Sequence, residues 1–168
     1  YENKAFQTML LREDYPGAVD VARYLLVEQE GGIYLDCDWY PARMDISFHD
    51  LLPMTGLIAM AEDIPRKTGR GSLLLANSFV AAPAHHPVLT KLNAVLPSVI
   101  AAMPEAPAWW STGPLLFTVI ARGGALTLAD ASFVAGELPR RAPFSEVEAA
   151  CGTFEAQDAG LLLAWKSW

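Results

Sequence analysis

Charge, cysteine and long apolar runs are all scarce in this chain, and each scarcity closes off a class of protein. Of 168 residues only 18% are charged, with 12 Lys and Arg against 19 Asp and Glu and a formal net charge of −7. Cations so few, forming no stripe that could follow a phosphate backbone, exclude a nucleic-acid partner. Only Arg66-Lys67 with Arg70, and Arg140-Arg141, cluster at all. Cys37 and Cys151 stand far apart in a chain too large to need staples, so there is no sign of a disulfide framework, and a reducing compartment fits best. The longest apolar runs, Leu73 to Ala76 with Phe79 to Pro83 and Leu161 to Trp165, are strand-sized, which excludes a membrane span in this chain. Internal repeats and low-complexity tracts are absent as well.

What is present is a core. Apolar residues make up 52% of the chain, enough at this length for one folded domain over residues 1–168. The chain opens without Met, on Tyr1-Glu2-Asn3-Lys4 in what reads as a helix, and is expected to be a piece of a longer protein. A short helix is predicted over Glu2 to Arg12, then a Tyr15-Pro16-Gly17 turn and a second helix from Ala18 to Glu30, ended by Gly31-Gly32. Strands are predicted at Ile33 to Asp36, Leu57 to Met60, Leu73 to Ala76 and Phe79 to Ala82, the last two broken by Asn77-Ser78. A polar loop spans Ile64 to Gly71. Pro87 opens a helix to Met103, and Met103 to Trp110, with Pro104 and Pro107, is not expected to continue that helix. Ser111-Thr112-Gly113-Pro114 starts a further helix to Arg122 with an N-terminus suited to face an anion. Short strands follow at Leu126 to Leu128, Phe133 to Val134 and Leu161 to Trp165. Strands alternating with helices indicate an α/β sheet.

The chemistry concentrates at Gly31-Gly32-Ile33-Tyr34-Leu35-Asp36-Cys37-Asp38, an apolar strand running into two carboxylates spaced i, i+2. In an extended chain such residues point to one side, so Asp36 and Asp38 can converge on a hard divalent cation while Cys37 faces away, buried and inert. Two carboxylates bind such an ion incompletely and leave positions for phosphate oxygens. On the preceding helix Asp20 and Arg23 share a face at i, i+3, which puts a charged pair near the carboxylates if helix and strand pack together.

Asp20, Arg23, Gly31, Gly32, Tyr34, Asp36 and Asp38 form Asp-x-x-Arg-Tyr followed by Gly-Gly-x-Tyr-Leu-Asp-x-Asp. This resembles the DXD sugar-binding region of GT-A fold glycosyltransferases, in particular the family of the yeast initiating α-1,6-mannosyltransferase and bacterial capsular polysaccharide enzymes. The glucosyltransferase domains of large clostridial toxins share the pattern. The resemblance covers Ala18 to Pro41 best. It continues through Leu75 to Pro83 with His86-Pro87, through Thr112-Gly113-Pro114, and to Trp165-Lys166-Ser167-Trp168, which looks like the family's closing Ser-Trp element. The His that often precedes that Trp is replaced here by Leu163-Ala164.

The resemblance implies an α/β fold of GT-A type, a mixed sheet flanked by helices, lacking its N-terminal base-binding part. It implies a hexosyltransferase that moves a sugar from a UDP- or GDP-sugar to an acceptor hydroxyl, with retention of configuration. Asp36 and Asp38 would act through a divalent ion, Mn2+ before Mg2+. Asp38 would be the firmer ligand and Asp36 would also touch ribose or sugar. Asp20 and Arg23 would hold the sugar and diphosphate, Tyr34 would line the nucleotide pocket, Asn77 would sit near donor or acceptor, and Ser167 and Trp168 would close over the phosphates. The acceptor would be a glycan, a lipid-linked glycan or a protein, and the setting a bacterial cytoplasm or a secreted effector.

Other readings compete. An apolar strand ending in Asp-x-Asp also opens the haloacid-dehalogenase phosphohydrolases, where Thr or Val normally follows the second Asp at i+2. Here Trp39-Tyr40 follow, and no later Lys with paired acids matches. A degenerate transferase domain kept for carbohydrate or protein binding is the third reading. Among single residues, the Asp20 and Arg23 pair can equally be a surface ion pair, Tyr34 a core aromatic and Asn77 a turn residue. His85 and His86 point apart on an extended segment and are read as a helix start, and His49 as a loop residue. Glu62 and Asp63 end a strand without motif support. Trp109-Trp110 could form an acceptor platform, but a Pro-containing stretch tucks aromatics onto a core, and the core is the expectation.

Overall fold

The computed structural model describes residues 2–43, 45, 56–62, 74–129, 134–151 and 160–165. His49, Asp63, Arg66, Lys67, Arg70, Ser167 and Trp168 lie outside them. Helix α1 (Lys4–Leu11) is capped by the Asn3 side chain, which accepts the N–H of Phe6 at 3.1 Å. Helix α2 (Tyr15–Glu30) begins three residues before the predicted start. The Asp14 carboxylate accepts the N–H of Gly17 at 3.0 Å, and Pro16 sits in the first turn, where a missing N–H leaves no bond unmade. The apparent turn at Tyr15-Pro16-Gly17 is therefore the first turn of the helix. Gly31 closes α2 with φ +70 and donates to the carbonyl of Val27 at 3.0 Å, and Gly32 continues at φ +98.

Strands β1 (Gly32–Leu35), β3 (Ile58–Ala61), β4 (Leu75–Ala82) and β5 (Thr127–Ala129) form a sheet in the order β1-β4-β3-β5. β4 pairs antiparallel with β1 and β3, and β5 joins β3 in parallel. A second sheet, not foreseen as a separate layer, has the order β2-β7-β6 and is built from β2 (Trp39–Pro41), β6 (Val134–Glu137) and β7 (Leu162–Ala164). Strand β2 lies where the sequence showed no strand.

The helices are α3 (Pro87–Ala102), the single turn α4 (Ala108–Ser111), α5 (Pro114–Ala121) and α6 (Phe144–Ala150). His86 caps α3, its ring accepting the N–H of Val88 at 3.3 Å, while His85 sits at φ +59 with Nδ1 3.5 Å from Glu28. His86 bears out the helix-start reading, whereas His85 lies in a turn at positive φ and not on an extended segment. The turn α4 and helix α6 were not predicted. Proline at the position before each, Pro107 and Pro143, opened a helix instead of preventing one.

Both faces of the four-stranded sheet are covered. Val21, Tyr24 and Val27 of α2, Leu89, Leu92 and Leu96 of α3 and Phe117 of α5 pack on Ala59, Leu75, Val80 and Ala82. On the opposite face Ile58, Met60, Phe79 and Ala81 meet Leu162 of the second sheet, with Ile33 and Trp39 at the margin. Burying side chains as large as Phe79 and Phe117 contributes about 2–3 kcal/mol each. Trp109 and Trp110 do not join either core, against expectation, and are 43% and 51% exposed. The one turn of α4 has room to bury its last residue, Ser111, but leaves both indoles outside.

Strand β4 is continuous through Asn77-Ser78, where a break was expected, because β1 pairs along it and the N–H of Asp36 extends the ladder to the carbonyl of Ser78 at 2.9 Å. The irregularity falls on the other edge. Ala59 pairs with Val80 but the next residue, Met60, pairs with Ala76, so β4 bulges against β3 over Asn77 to Phe79. Leu75 and Val80, of opposite parity, thereby face the same helical layer, and Asn77 turns toward α2.

The glycine pair supplies a test of this frame. A Cβ on Gly31 would lie 2.6 Å from the backbone nitrogen of Ala84, whereas one on Gly32 meets nothing within 4 Å. Gly32→Ala is expected to cost about 1–2 kcal/mol from positive φ alone. Gly31→Ala carries that strain and the clash, and is expected to cost clearly more, as read by urea denaturation. Equal losses would mean that the close approach of α2 to residues 82–84 is not fixed.

Candidate functional site

Helix α2 turns one face inward, and that face carries two charged residues. Asp20 is 7% exposed and Arg23 5%. An isolated buried cation is strongly disfavoured, and Arg23 is tolerated because partners surround it on several sides. Its Nη2 lies 3.3 Å from Asp20 Oδ1, while Nη1 lies 3.1 Å from Asp36 Oδ1 and donates to the backbone carbonyl of Asn77 at 2.6 Å. The guanidinium also covers the ring of Tyr34, 4.6 Å from its centroid. One side chain thus ties α2 to the end of β1 and to the bulge of β4, so the expected packing of helix against strand is observed. Its Nε is buried without a partner.

Asp20 is held as closely. Asn77 Nδ2 donates to its Oδ1 at 2.7 Å and Thr112 Oγ1 to its Oδ2 at 3.0 Å. Burial pushes its pKa up from 3.8 to about 6, against the pull of Arg23 and of the Thr112 and Asn77 hydrogen bonds, with the nearby Asp36 charge adding to the rise. Tyr24, fully buried, donates to the Thr112 carbonyl at 2.9 Å and accepts from Asn77 Nδ2 at 2.8 Å. Desolvation raises its phenol well above the usual range, so it serves as a neutral hydrogen-bonding group. The start of α5 does face an anion, and the anion is Asp20. A Cβ on Gly113 would stand 3.1 Å from Asp20 Oδ2 and 3.0 Å from the Trp109 Cα, so a larger residue would press on both. Tyr24 and Thr112 were not singled out as site residues. Their signal was in the motifs, as the Tyr of Asp-x-x-Arg-Tyr and the Thr of Thr-Gly-Pro.

The carboxylate pair is arranged differently from the expectation. Strand β1 ends at Leu35, and Asp36 to Trp39 form a turn closed by the Trp39 N–H and the Asp36 carbonyl at 3.2 Å. The alternation of an extended chain therefore does not orient Asp36 and Asp38, because the chain is passing here from one sheet to the other. Cys37, at the turn, is exposed instead of buried. Asp36 Oδ1 accepts from the Tyr34 hydroxyl at 2.9 Å as well as meeting Arg23, so Tyr34 belongs to the site. Burial raises the Tyr34 pKa to about 12, with the Arg23 charge opposing and Asp36 contributing. Asp38 Oδ1 is buried without a partner. Its backbone carbonyl accepts the N–H of Trp165 at 2.7 Å, which fixes the turn to the end of β7.

Asp20, Arg23, Tyr34, Asp36 and Asn77 are thus brought together, with Asp38 two residues beyond. Asn77 is a strand residue and not a turn residue. Among the described residues no group of three His, Cys, Asp or Glu is placed to hold a metal ion.

No protein-family model matches the chain, and a comparison with curated proteins finds no match. A solved structure described as "PaToxG Glycosyltransferase" superposes with a TM-score of 0.54 over 70% of this chain, at 22% identity. The chain spans 39% of the length of that protein. The likeness is one of architecture. It defines a mixed α/β, glycosyltransferase-like fold, and no helix among the described residues is long and apolar enough to cross a membrane.

The raised pKa of Asp20 gives the fold a pH signature. Because the folded value lies above the unfolded one, this group's stabilisation is complete below about 3.8 and is lost as pH rises through about 6. Asp20→Asn removes the dependence. The stability difference between wild type and Asp20→Asn is expected to shift toward wild type by about 2 kcal/mol between pH 7 and pH 4, measured by urea denaturation. A difference that stays constant over that range would mean that Asp20 titrates like a solvated carboxylate.

Proposed function

We propose that this chain carries the donor-binding part of a glycosyltransferase of GT-A type, which moves a sugar from a nucleoside diphosphate to an acceptor hydroxyl with retention. The observation that carries the reading is the Asp38 carboxylate, which keeps a buried oxygen without a partner beside an Asp36 already held by Arg23 and Tyr34. A buried, unsatisfied acceptor costs about 1–3 kcal/mol, and more for a charged group. Selection retains such a cost where a ligand relieves it. The motif in which both residues stand supports a cation with a nucleoside diphosphate as that ligand, on a fold that is glycosyltransferase-like.

Asp36 and Asp38 would hold a divalent cation, Mn2+ or Mg2+, since both are hard oxygen donors and two carboxylates leave positions for diphosphate oxygens. When bound, such an ion neutralises charge that develops on a leaving nucleoside diphosphate. The chain's own residues do the rest. Arg23 and the Tyr34 hydroxyl engage Asp36 through Oδ1 and leave Oδ2 as the presented atom. Arg23 also carries positive charge to the place where the diphosphate leaves, with Nε free to donate. Asp20 accepts from Asn77 and Thr112 and neighbours Arg23, so its part is to hold that cation and the amide in position. Asn77 acts with it, joining β4 to α2. Ser167 and Trp168 follow Trp165, whose N–H is bonded to Asp38, and their proposed part is to cover the phosphates and exclude water.

The test is hydrolysis of UDP-glucose, UDP-GlcNAc and GDP-mannose with and without Mn2+. One donor is expected to be hydrolysed in a metal-dependent way, and Asp38→Asn to lower that rate by roughly 100-fold or more with the fold intact by circular dichroism. Absence of metal-coupled nucleotide binding by calorimetry, or an Asp38→Asn variant as active as wild type, overturns the reading.

A further inference from the structure

Trp109 and Trp110 take no part in the core or in the hydrogen-bonded site, yet they stand at its edge. Both are about half exposed on a single helical turn that ends directly in Thr112 and Gly113. Thr112 bonds the Asp20 carboxylate, and the same empty Cβ position on Gly113 is within contact distance of Trp109 Cα and Asp20 Oδ2. The indoles are therefore carried on the same short segment that seats Asp20. That segment is also held firmly. Trp110 and Ser111 donate to the Pro107 carbonyl at 2.9 and 3.2 Å, and Thr112 and Gly113 to the Ala108 carbonyl at 2.9 and 2.8 Å.

Exposed indoles lose free energy to water unless something covers them, and fixing their backbone lowers the cost of ordering them on binding. The surroundings decide what covers them. No charged residue occurs between Glu105 and Arg122; of the charged side chains that reach this segment, Arg12 donates to the Pro104 carbonyl at 3.2 Å and Asp20 accepts from Thr112, so the stretch itself supplies no ionic group for a phosphate or an acidic or basic peptide. It offers flat apolar faces, about 100° apart round the turn, each with one N–H donor. That combination matches a neutral pyranose ring, whose C–H face stacks on an aromatic and whose hydroxyls accept an N–H.

We propose that Trp109 and Trp110 form a platform for the acceptor, that the acceptor is a neutral oligosaccharide, and that the platform receives it beside the Asp20 end of the site. The proposal rests on the glycosyltransferase reading above, and the two are separable because stacking on the indoles needs neither nucleotide nor metal.

The experiment titrates the chain, without nucleotide or Mn2+, with maltohexaose, mannohexaose and chitohexaose, reading indole fluorescence and saturation-transfer NMR. At least one is expected to bind saturably, with signal on the Trp side chains. Trp109→Ala and Trp110→Ala are expected to weaken binding at least 10-fold, whereas Trp109→Phe restores most of it. Metal-coupled nucleotide binding should change less than twofold in all three variants, since no donor contact is removed. Thermal melting by circular dichroism reports that each variant is folded. Failure of all three sugars to bind wild type overturns the platform and leaves the nucleotide reading standing, as does binding that survives both alanine variants. Sedimentation showing a wild-type dimer that the alanine variants dissociate also overturns it, because the indoles then cover a second copy of the chain.

Discussion

A buried guanidinium organises this molecule. Arg23 sits on the inward face of α2, and its charge is tolerable there only while Asp20, Asp36, the Asn77 carbonyl and the Tyr34 ring are all in place. Those partners come from α2, from β1 and its end, and from β4, so satisfying one cation fixes a helix, the end of an edge strand and the bulge of a central strand at once. The requirement also runs in the other direction. Asp20 is deep enough for desolvation to raise its pKa, and without Arg23, Thr112 and Asn77 it would rise further. The polar cluster is thus mutually dependent, a core in its own right beside the two apolar ones.

Inside that cluster two aspartates experience opposite surroundings. Asp20 has protein partners on both oxygens, whereas Asp38 has one buried oxygen with none. Their carboxylates are chemically identical, and only what packs around them separates a saturated group from one with an unpartnered oxygen. The turn at Asp36 to Trp39 makes this division because it carries the chain out of the larger sheet before Asp38, away from the partners that saturate the first aspartate.

Much of this was legible in the residues. Glycine pairs and helix-opening prolines mark physical necessities, and Gly31-Gly32, Pro87 and the Thr112-Gly113-Pro114 start all appear where expected. Asp20, Arg23, Tyr34, Asp36 and Asn77, marked together by the motif resemblance and not by spacing alone, lie together in the fold. What could not be read were features set by tertiary partners. Strand β2 is three residues long and exists because β7 pairs with it. Asn77 looked like a turn residue because its type favours turns, but a buried Asp20 and Tyr24 outweigh that preference. Strand alternation assigned Cys37 to the interior and the surrounding prolines assigned the Trp109-Trp110 pair there, while a turn and a single-turn helix hold them outside.

The bulge in β4 gives the strand two reading frames. Above it, even-numbered residues such as Val80 and Ala82 face the helices, and below it the odd-numbered Leu75 and Asn77 do. The segment that serves the polar site and the segment that fills the apolar core are consequently out of phase within one strand. Sequence change can drift in one half without reversing the inside and outside of the other.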